Sequence, residues 1–495
     1  MRTLRRLRTL LPAIAIALAL SADAGAQAPA DAGQALRDHI KAWLTETLLA
    51  PLAEAGFDVD AAIGVEAGDD AYRVTIADLA VTTPSGRLLV AGTLEAAVVP
   101  LPDGRYEVTA RLPPEVVLYA ADGSEWLVAT TGGRRFTGVY APALQAFTTL
   151  DIRLDDLRVS APPTGLLVAI GRIGLDSETI PAAAGTHDMV STLAAENIAA
   201  MSGDAQSRVT VERAAVGTTL AAVDLETYAA FVLAYRGVLA EGRAGPDAPD
   251  PDAVAAKLAR LIETTPPLLD GIAVTYGVRG LSVEEPDGAV GIGRIRAALS
   301  AEALANDAAT LHARGELSGV TVEPPPDADI LPREAALDVT VSDVPGTALT
   351  SLVAGRLRAG PAAPPPVWDE LLEALGDAGT TMRLDRLVVD TGAAAVEMTG
   401  SARPVPTAAR GAVASLSIRI RGFDRALREV RRLPDAAPLT MLLTVLQLAG
   451  TAGTDDEGRP TIRYDIELTA DGRTLVNGVD LAPLLGMIPE RAPSP

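Results

Sequence analysis

One apolar pattern occurs four times and limits this chain more than any other feature, because each copy specifies a bent β-hairpin. Its clearest copy runs from Ile152 to Leu175. There Leu154, Leu157 and Val159 lead to a turn at Pro162-Pro163-Thr164-Gly165, and an apolar return strand carries Gly171 and Ile173. The same order is found in Ile76, Leu79, Val81, Gly86, Gly92 and Leu94; in Val278, Leu281, Val283, Gly288, Gly293 and Ile295; and in Leu384, Leu387, Val389, Gly392, Gly400 and Ala402. Residues two apart share a strand face, so Leu157 and Val159 line one side, whereas Leu154 has the wrong parity. A β-bulge returns it to that face and bends the strand. Glycine in the return strand leaves room for the curvature. The expected fold class is α+β, mainly antiparallel β, with curved, bulged sheets of repeated hairpins and flanking amphipathic helices. Such patterns also arise by chance in a chain rich in Ala, Val and Leu, but a Leu-to-Gly spacing of 12 to 14 in all four copies favours a true repeat.

Composition narrows the function classes. Of 495 residues 48% are hydrophobic but only 3% aromatic, so the chain folds around an aliphatic core. Cysteine is absent, which removes disulfides, thiolate metal sites and a Cys nucleophile. The first 26 residues read as a secretory signal: Arg2, Arg5, Arg6 and Arg8, then apolar Leu10 to Leu20, then Ala24-Gly25-Ala26 before Gln27. The expected product is periplasmic or secreted after cleavage near Ala26. The apolar run falls short of the ~20 residues a membrane span needs, so no transmembrane segment is expected in the mature chain. With a net charge of −22, nucleic acid is not an expected partner.

The expected organisation is a signal peptide at 1–26, an N-terminal β-rich domain with covering helices at 27–241, a Pro/Gly/Asp linker at 242–252, a C-terminal domain at 253–490 and a tail at 491–495. Leu36, Ile40, Trp43, Leu44 and Leu48 mark one face of a helix that covers a sheet or lies on a membrane. Strands are expected near Tyr106 to Leu112, Val116 to Ala120 and Trp126 to Thr130, with tight turns at Asp103-Gly104 and Asp122-Gly123. Residues 181 to 206 read as irregular, Val209 to Val216 as strand, and Asp224 as the cap of a helix. After a helix from Ala253 to Glu263, alternation runs directly into a capped helix twice, at Leu337 to Val353 and Leu416 to Val430. Together with the third and fourth hairpins these form two hairpin-strand-helix modules.

Catalytic and metal chemistry are not legible. His39, His187 and His312 lack partners at metal-ligand spacing, and no Gly-x-Ser-x-Gly elbow exists. Gly291-Ile292-Gly293 lies inside a strand, unlike a dinucleotide loop. Asp455-Asp456-Glu457 lacks the alternate-ligand pattern of a calcium loop and reads as a solvated turn. No catalytic residue, metal or cofactor is assigned, and a non-enzymatic role is expected. One basic cluster stands out: eight arginines between Arg403 and Arg432 face only Asp424 and Glu429. Arg425, Arg428 and Arg432, at i, i+3 and i+7, are the ligand-binding candidates, for an anionic headgroup or an acidic partner. Pairing with the surplus carboxylates of the chain is the plainer alternative.

The recurrent hairpins, the two strand-to-helix units and the closing stretch from Asp471-Gly472 through Asn477-Gly478 to Leu481 resemble AsmA-like and related uncharacterised proteins of the Gram-negative envelope. Residues 382 to 488 carry most of the likeness. It implies a long, curved antiparallel sheet with an apolar groove, linked to lipid traffic and envelope upkeep. The chain departs from that pattern in its expected lack of a membrane anchor. The leading expectation is a periplasmic protein sheltering a lipid or other apolar small molecule in a curved groove. The alternative is an envelope scaffold with a filled core, no ligand and a protein partner. Val168, Ile170, Ile292 and Val396 mark the faces that distinguish the two.

Overall fold

The computed structural model describes Asp38 and residues 57–480, apart from 69, 84, 85, 143–145, 204, 205, 242–250, 307, 326–330, 360–367, 433–436 and 456. The expected signal segment, most of the Leu36 to Leu48 helix, the linker up to 250 and the tail lie outside the described residues. The chain divides into two compact units, Met1–Leu269 and Asp270–Pro495. This differs from the expected boundary at 242–252. Helix α2, Pro251–Thr264, belongs to the first unit, where it packs on helix α1, Leu225–Glu241. The Pro/Gly/Asp run therefore falls between two helices of one unit, since such composition marks a connection within a domain as readily as one between domains.

Among the described residues of the first unit eleven strands form nine positions, all antiparallel. β1 (Asp58–Ala67), β2 (Tyr72–Thr82) and β3 (Leu88–Pro100) pair in sequence. Two short strands, β4 (Tyr106–Arg111) and β5 (Glu115–Tyr119), share the edge of β3. They pair with β7 (Gly133–Ala141) and β6 (Glu125–Thr130), and both of those pair with β8 (Ala146–Ala161). β9 (Leu166–Pro181), β10 (His187–Met201) and β11 (Arg208–Val223) complete the row. Asp224 caps α1 as expected, its Oδ1 accepting the amides of Glu226 and Thr227, both at 3.1 Å.

The second unit is an antiparallel meander of β12 (Gly271–Glu285), β13 (Gly288–Glu302), β14 (Ala309–Glu323), β15 (Glu334–Val344), β16 (Thr381–Asp390), β17 (Ala395–Pro404) and β18 (Ala412–Arg421). β20 (Pro460–Leu468) pairs with β18, and β19 (Thr451–Thr454) and β21 (Thr474–Val476) share its other edge; β22 (Val479–Asp480) follows. Helices α3 (Gly346–Ala359) and α4 (Trp368–Asp377) leave after β15, and α5 (Phe423–Val430) and α6 (Ala437–Ala449) after β18. Both strand-to-helix units are therefore present. So is the Asn477-Gly478 hairpin, with φ of 50° and 79°.

All four motif copies form hairpins: β2/β3, β8/β9, β12/β13 and β16/β17. The expected bulge is present in the first, between Ile76 and Leu79, and in the last, between Leu384 and Leu387. The two middle copies differ. Their register passes through unshifted, although the residue before the Leu is left-handed, Asp156 at φ 54° and Gly280 at φ 62°, as Asp78 at φ 54° is in the first copy. The irregularity is matched in neighbouring strands. Gly171 lies opposite Asp156, then Asn197 at φ 55°; Gly293 lies opposite Gly280, then Gly319 at φ 71°. A Cβ on Gly171 would come within 3.1 Å of the Asn197 Cβ, and one on Gly319 equally close to the Gly293 Cα. The return-strand glycines Gly171 and Gly293 therefore accommodate this close approach as well as curvature.

Candidate apolar ligand surface

Cross-strand partners in an antiparallel sheet point to the same face, so the pairing register shows what each face carries. In the first unit one row reads Val65, Val74, Ala96, Ala110, Phe136, Ile152, Leu175, Leu193, Val216 across nine positions. In the second unit Val274, Leu299, Ala313, Val339, Leu384, Gly400, Leu416, Ile466 and Val476 form an equivalent row. The adjacent row holds Tyr276, Ala297, Gly315, Leu337, Leu387, Met398, Ile418 and Tyr464. No charged residue interrupts any of the three.

The opposite faces are charged. In the first unit Asp155, Arg172, Glu196 and Arg213 alternate in one row, with Arg172 at 3.0 Å from Asp155 and Arg213 at 3.3 Å from Glu196. In the second, Asp338 accepts from Arg314 at 2.7 Å and lies 2.5 Å from His312 Nε2. The His312 and Arg314 hydrogen bonds hold the Asp338 carboxyl below its ordinary range, against a small cost of burial. Each unit thus presents one aliphatic and one salt-bridged side, and neither charged side gathers a metal-ligand cluster among the described residues.

The apolar faces are covered unevenly. Val74, Ile76 and Val98 form one buried cluster and Ala110, Phe136 and Leu150 another, both in the first unit. Phe147 meets Phe136 edge-on at 5.7 Å. Further along the same row Leu193 is 48% exposed, and in the second unit Leu299 is 55% and Tyr276 48% exposed. Leu337 and Met382 are exposed beside them. At the far end of the second unit the face closes again: Tyr464 is buried, and its hydroxyl donates to the Leu446 carbonyl of α6 at 2.6 Å. The marker residues sit among apolar partners: Val168 opposite Val159 and Ala200, Ile170 opposite Leu157 and Ile198, Ile292 opposite Leu281 and Val320, Val396 opposite Val389 and Ile420.

The candidate arginines lie elsewhere. α5 buries Phe423, Leu427 and Val430 and exposes Arg425 and Arg428. The helix ends at Val430, so Arg432 lies beyond it in a turn and folds back on Glu429 at 2.8 Å. Nearby, Arg419, Arg421 and Arg459 line a polar cleft of about 240 Å³ with Glu397, Asp455 and Glu457. Arg459 binds Asp455 at 2.7 Å and Glu457 at 2.8 Å, so the cleft balances three charges of each sign. Burial opposes ionisation of Asp455, but the Arg459 amide and guanidinium and the Glu457 amide outweigh it and keep its carboxyl low. The segment around Asp455 is a salt-bridged turn. No family model, no curated protein and no solved structure matches this chain.

One polar residue on the aliphatic side of the first unit was not legible as a candidate. Arg134 pairs with Leu154 and shares the parity of Phe136, which places it on the apolar face. Its Nη1 is buried without a hydrogen-bond partner. The signal was the alternation of Arg134, Phe136, Gly138 and Tyr140, hidden because Gly133–Ala141 carries too few apolar residues to read as strand.

Proposed function

We propose that this chain is an exported, non-enzymatic envelope protein that shelters a lipid or other apolar molecule along its aliphatic sheet faces. The observation that carries this is the row of apolar residues continuous over nine strand positions in each unit, with Leu193 and Leu299 exposed within these rows and Tyr276 exposed in the row beside the second. Large aliphatic side chains lined up on a half-open face favour an apolar occupant, since wetting them costs ~25 cal/mol per Å². The opposite charged face keeps such a sheet soluble. The likeness to AsmA-like proteins, the periplasmic location and the cleaved signal segment belong to this proposal and rest on the sequence. No helix among the described residues is long and apolar enough to cross a membrane.

The buried clusters around Ile76 and Phe136 favour a second reading for the first unit alone, a scaffold filled by its own side chains. Purification without detergent, solvent extraction and mass spectrometry separate the two. A near-stoichiometric lipid supports the carrier; a clean extract from folded, monodisperse protein supports the scaffold.

A further inference from the structure

We infer that Arg134 receives the anionic head of an amphiphilic ligand whose aliphatic tail lies along the apolar face of the first unit. This rests on the apolar-ligand reading above and specifies the ligand class: one anionic group, a carboxylate or phosphate, joined to an alkyl chain. Arg134 stands on β7 directly opposite Leu154, in a row that continues through Ile173 and Ala195. Its neighbour Arg135 points to the other face and reaches Asp151 at 3.7 Å, as the charged side of the sheet requires. Arg134 has no such counter-ion among the described residues, and its Nη1 is buried and unbonded. The carboxylate of Asp155, the cross-strand partner of Gly133, is taken by Arg172.

A guanidinium nitrogen out of water without an acceptor is costly, and arginine cannot shed its proton to escape the cost. Its planar fork matches a carboxylate or phosphate, and a charge-assisted hydrogen bond in this setting is stronger than one in water. The position also suits an amphiphile. On one side lies buried Phe136, and on the other Leu154 and Ile173 are half-buried, so an alkyl chain has aliphatic wall to follow. The structure thus places a cation in a row that is otherwise apolar, Leu154, Ile173 and Ala195.

The test uses the full chain delipidated by solvent-compatible exchange and three probes: palmitate, hexadecanol and inorganic phosphate, titrated by calorimetry. Wild type is expected to bind palmitate about ten-fold or more tighter than hexadecanol, the range for hydrogen bonds to a charged group, and to ignore phosphate. Arg134→Met should erase the preference while leaving hexadecanol affinity unchanged, and Arg134→Lys should restore part of it. Equal binding of palmitate and hexadecanol by wild type overturns the headgroup assignment but keeps the apolar-ligand reading. Binding of neither overturns both. Phosphate binding as tight as palmitate, lost in Arg134→Met, also overturns it, because the site would then serve a free anion. If Arg134→Met fails to fold, Arg134→Gln and the wild-type probe ratio decide the matter.

Discussion

The first unit hides much of its apolar face where the second leaves it open, although both are built from the same hairpins. Ile76 is 1% exposed in the N-terminal sheet, whereas Leu299, in a row of the same make-up, is 55% exposed. Aromatics account for part of the contrast: Phe136, Tyr140 and Phe147 fill the space above β7 and β8, and the strands from β12 to β16 carry only Tyr276. The left-handed row differs too. Its left-handed residues are Asp156 and Asn197 in one sheet, flanking Gly171, and Gly280 and Gly319 in the other, flanking Gly293. Asp and Asn tolerate positive φ and still restrict the unfolded chain, so the N-terminal sheet obtains its irregularity at lower entropic cost than three glycines. A rigid, filled sheet and a looser, open one therefore arise from one motif through a few side chains.

The largest break in this comparison should come from the filled side. Ile76→Ala is expected to cost about 2–5 kcal/mol, read by chemical denaturation, whereas Leu299→Ala should cost below about 1 kcal/mol because half of its surface is already wet. Equal losses would show that the second face is covered in solution. Next comes the left-handed row. Gly319→Val, with φ at 71° and a Cβ pressed on Gly293, should cost about 1–3 kcal/mol, while Asn197→Gly should stay within about 0.5 kcal/mol. Matching penalties would remove the distinction between the two rows.

A smaller effect follows from the charged faces. The carboxyl of Asp338 is held below its ordinary value of 3.8, so its contribution is present above that pH and is lost as pH falls through the lowered value. Asp338→Asn should therefore lower Tm slightly at pH 7 and converge on wild type in acid; a gap that persists at pH 2 would point to a packing effect instead. Least change in stability is expected from Leu299→Ser combined with Met382→Ser on the open face, both exposed. Co-purifying lipid should fall while Tm holds, the remainder staying on the first unit. Unchanged lipid would confine the ligand to the first unit.

Much of the architecture was legible because hairpin chemistry is local. The turns at Asp103-Gly104, Asp122-Gly123 and Asn477-Gly478, the Asp224 cap and both strand-to-helix units needed only neighbouring residues. The region 181 to 206, expected to be irregular, contains β10, a strand of 15 residues. Its alternation fails in the sequence because Ala194, Ala195, Ala199 and Ala200 put small residues on both faces and Asn197 reverses the parity midway. The arginine cluster was visible as a run of charge, yet Arg432 is neutralised by Glu429, while the alternation that places Arg134 among apolar residues was too weak to single it out.

The sequence by itself determined the class of the protein: repeated bent hairpins, an aliphatic core, no cysteine chemistry and a strongly acidic surface. Tertiary structure decided what those parts amount to. Register brings residues far apart in the chain, such as Val65 and Val216, into one apolar row, and a one-residue slip would exchange that face for the charged one. Whether an apolar row is core or binding surface depends on what lies above it, and that is a property of the assembled sheet and not of any segment.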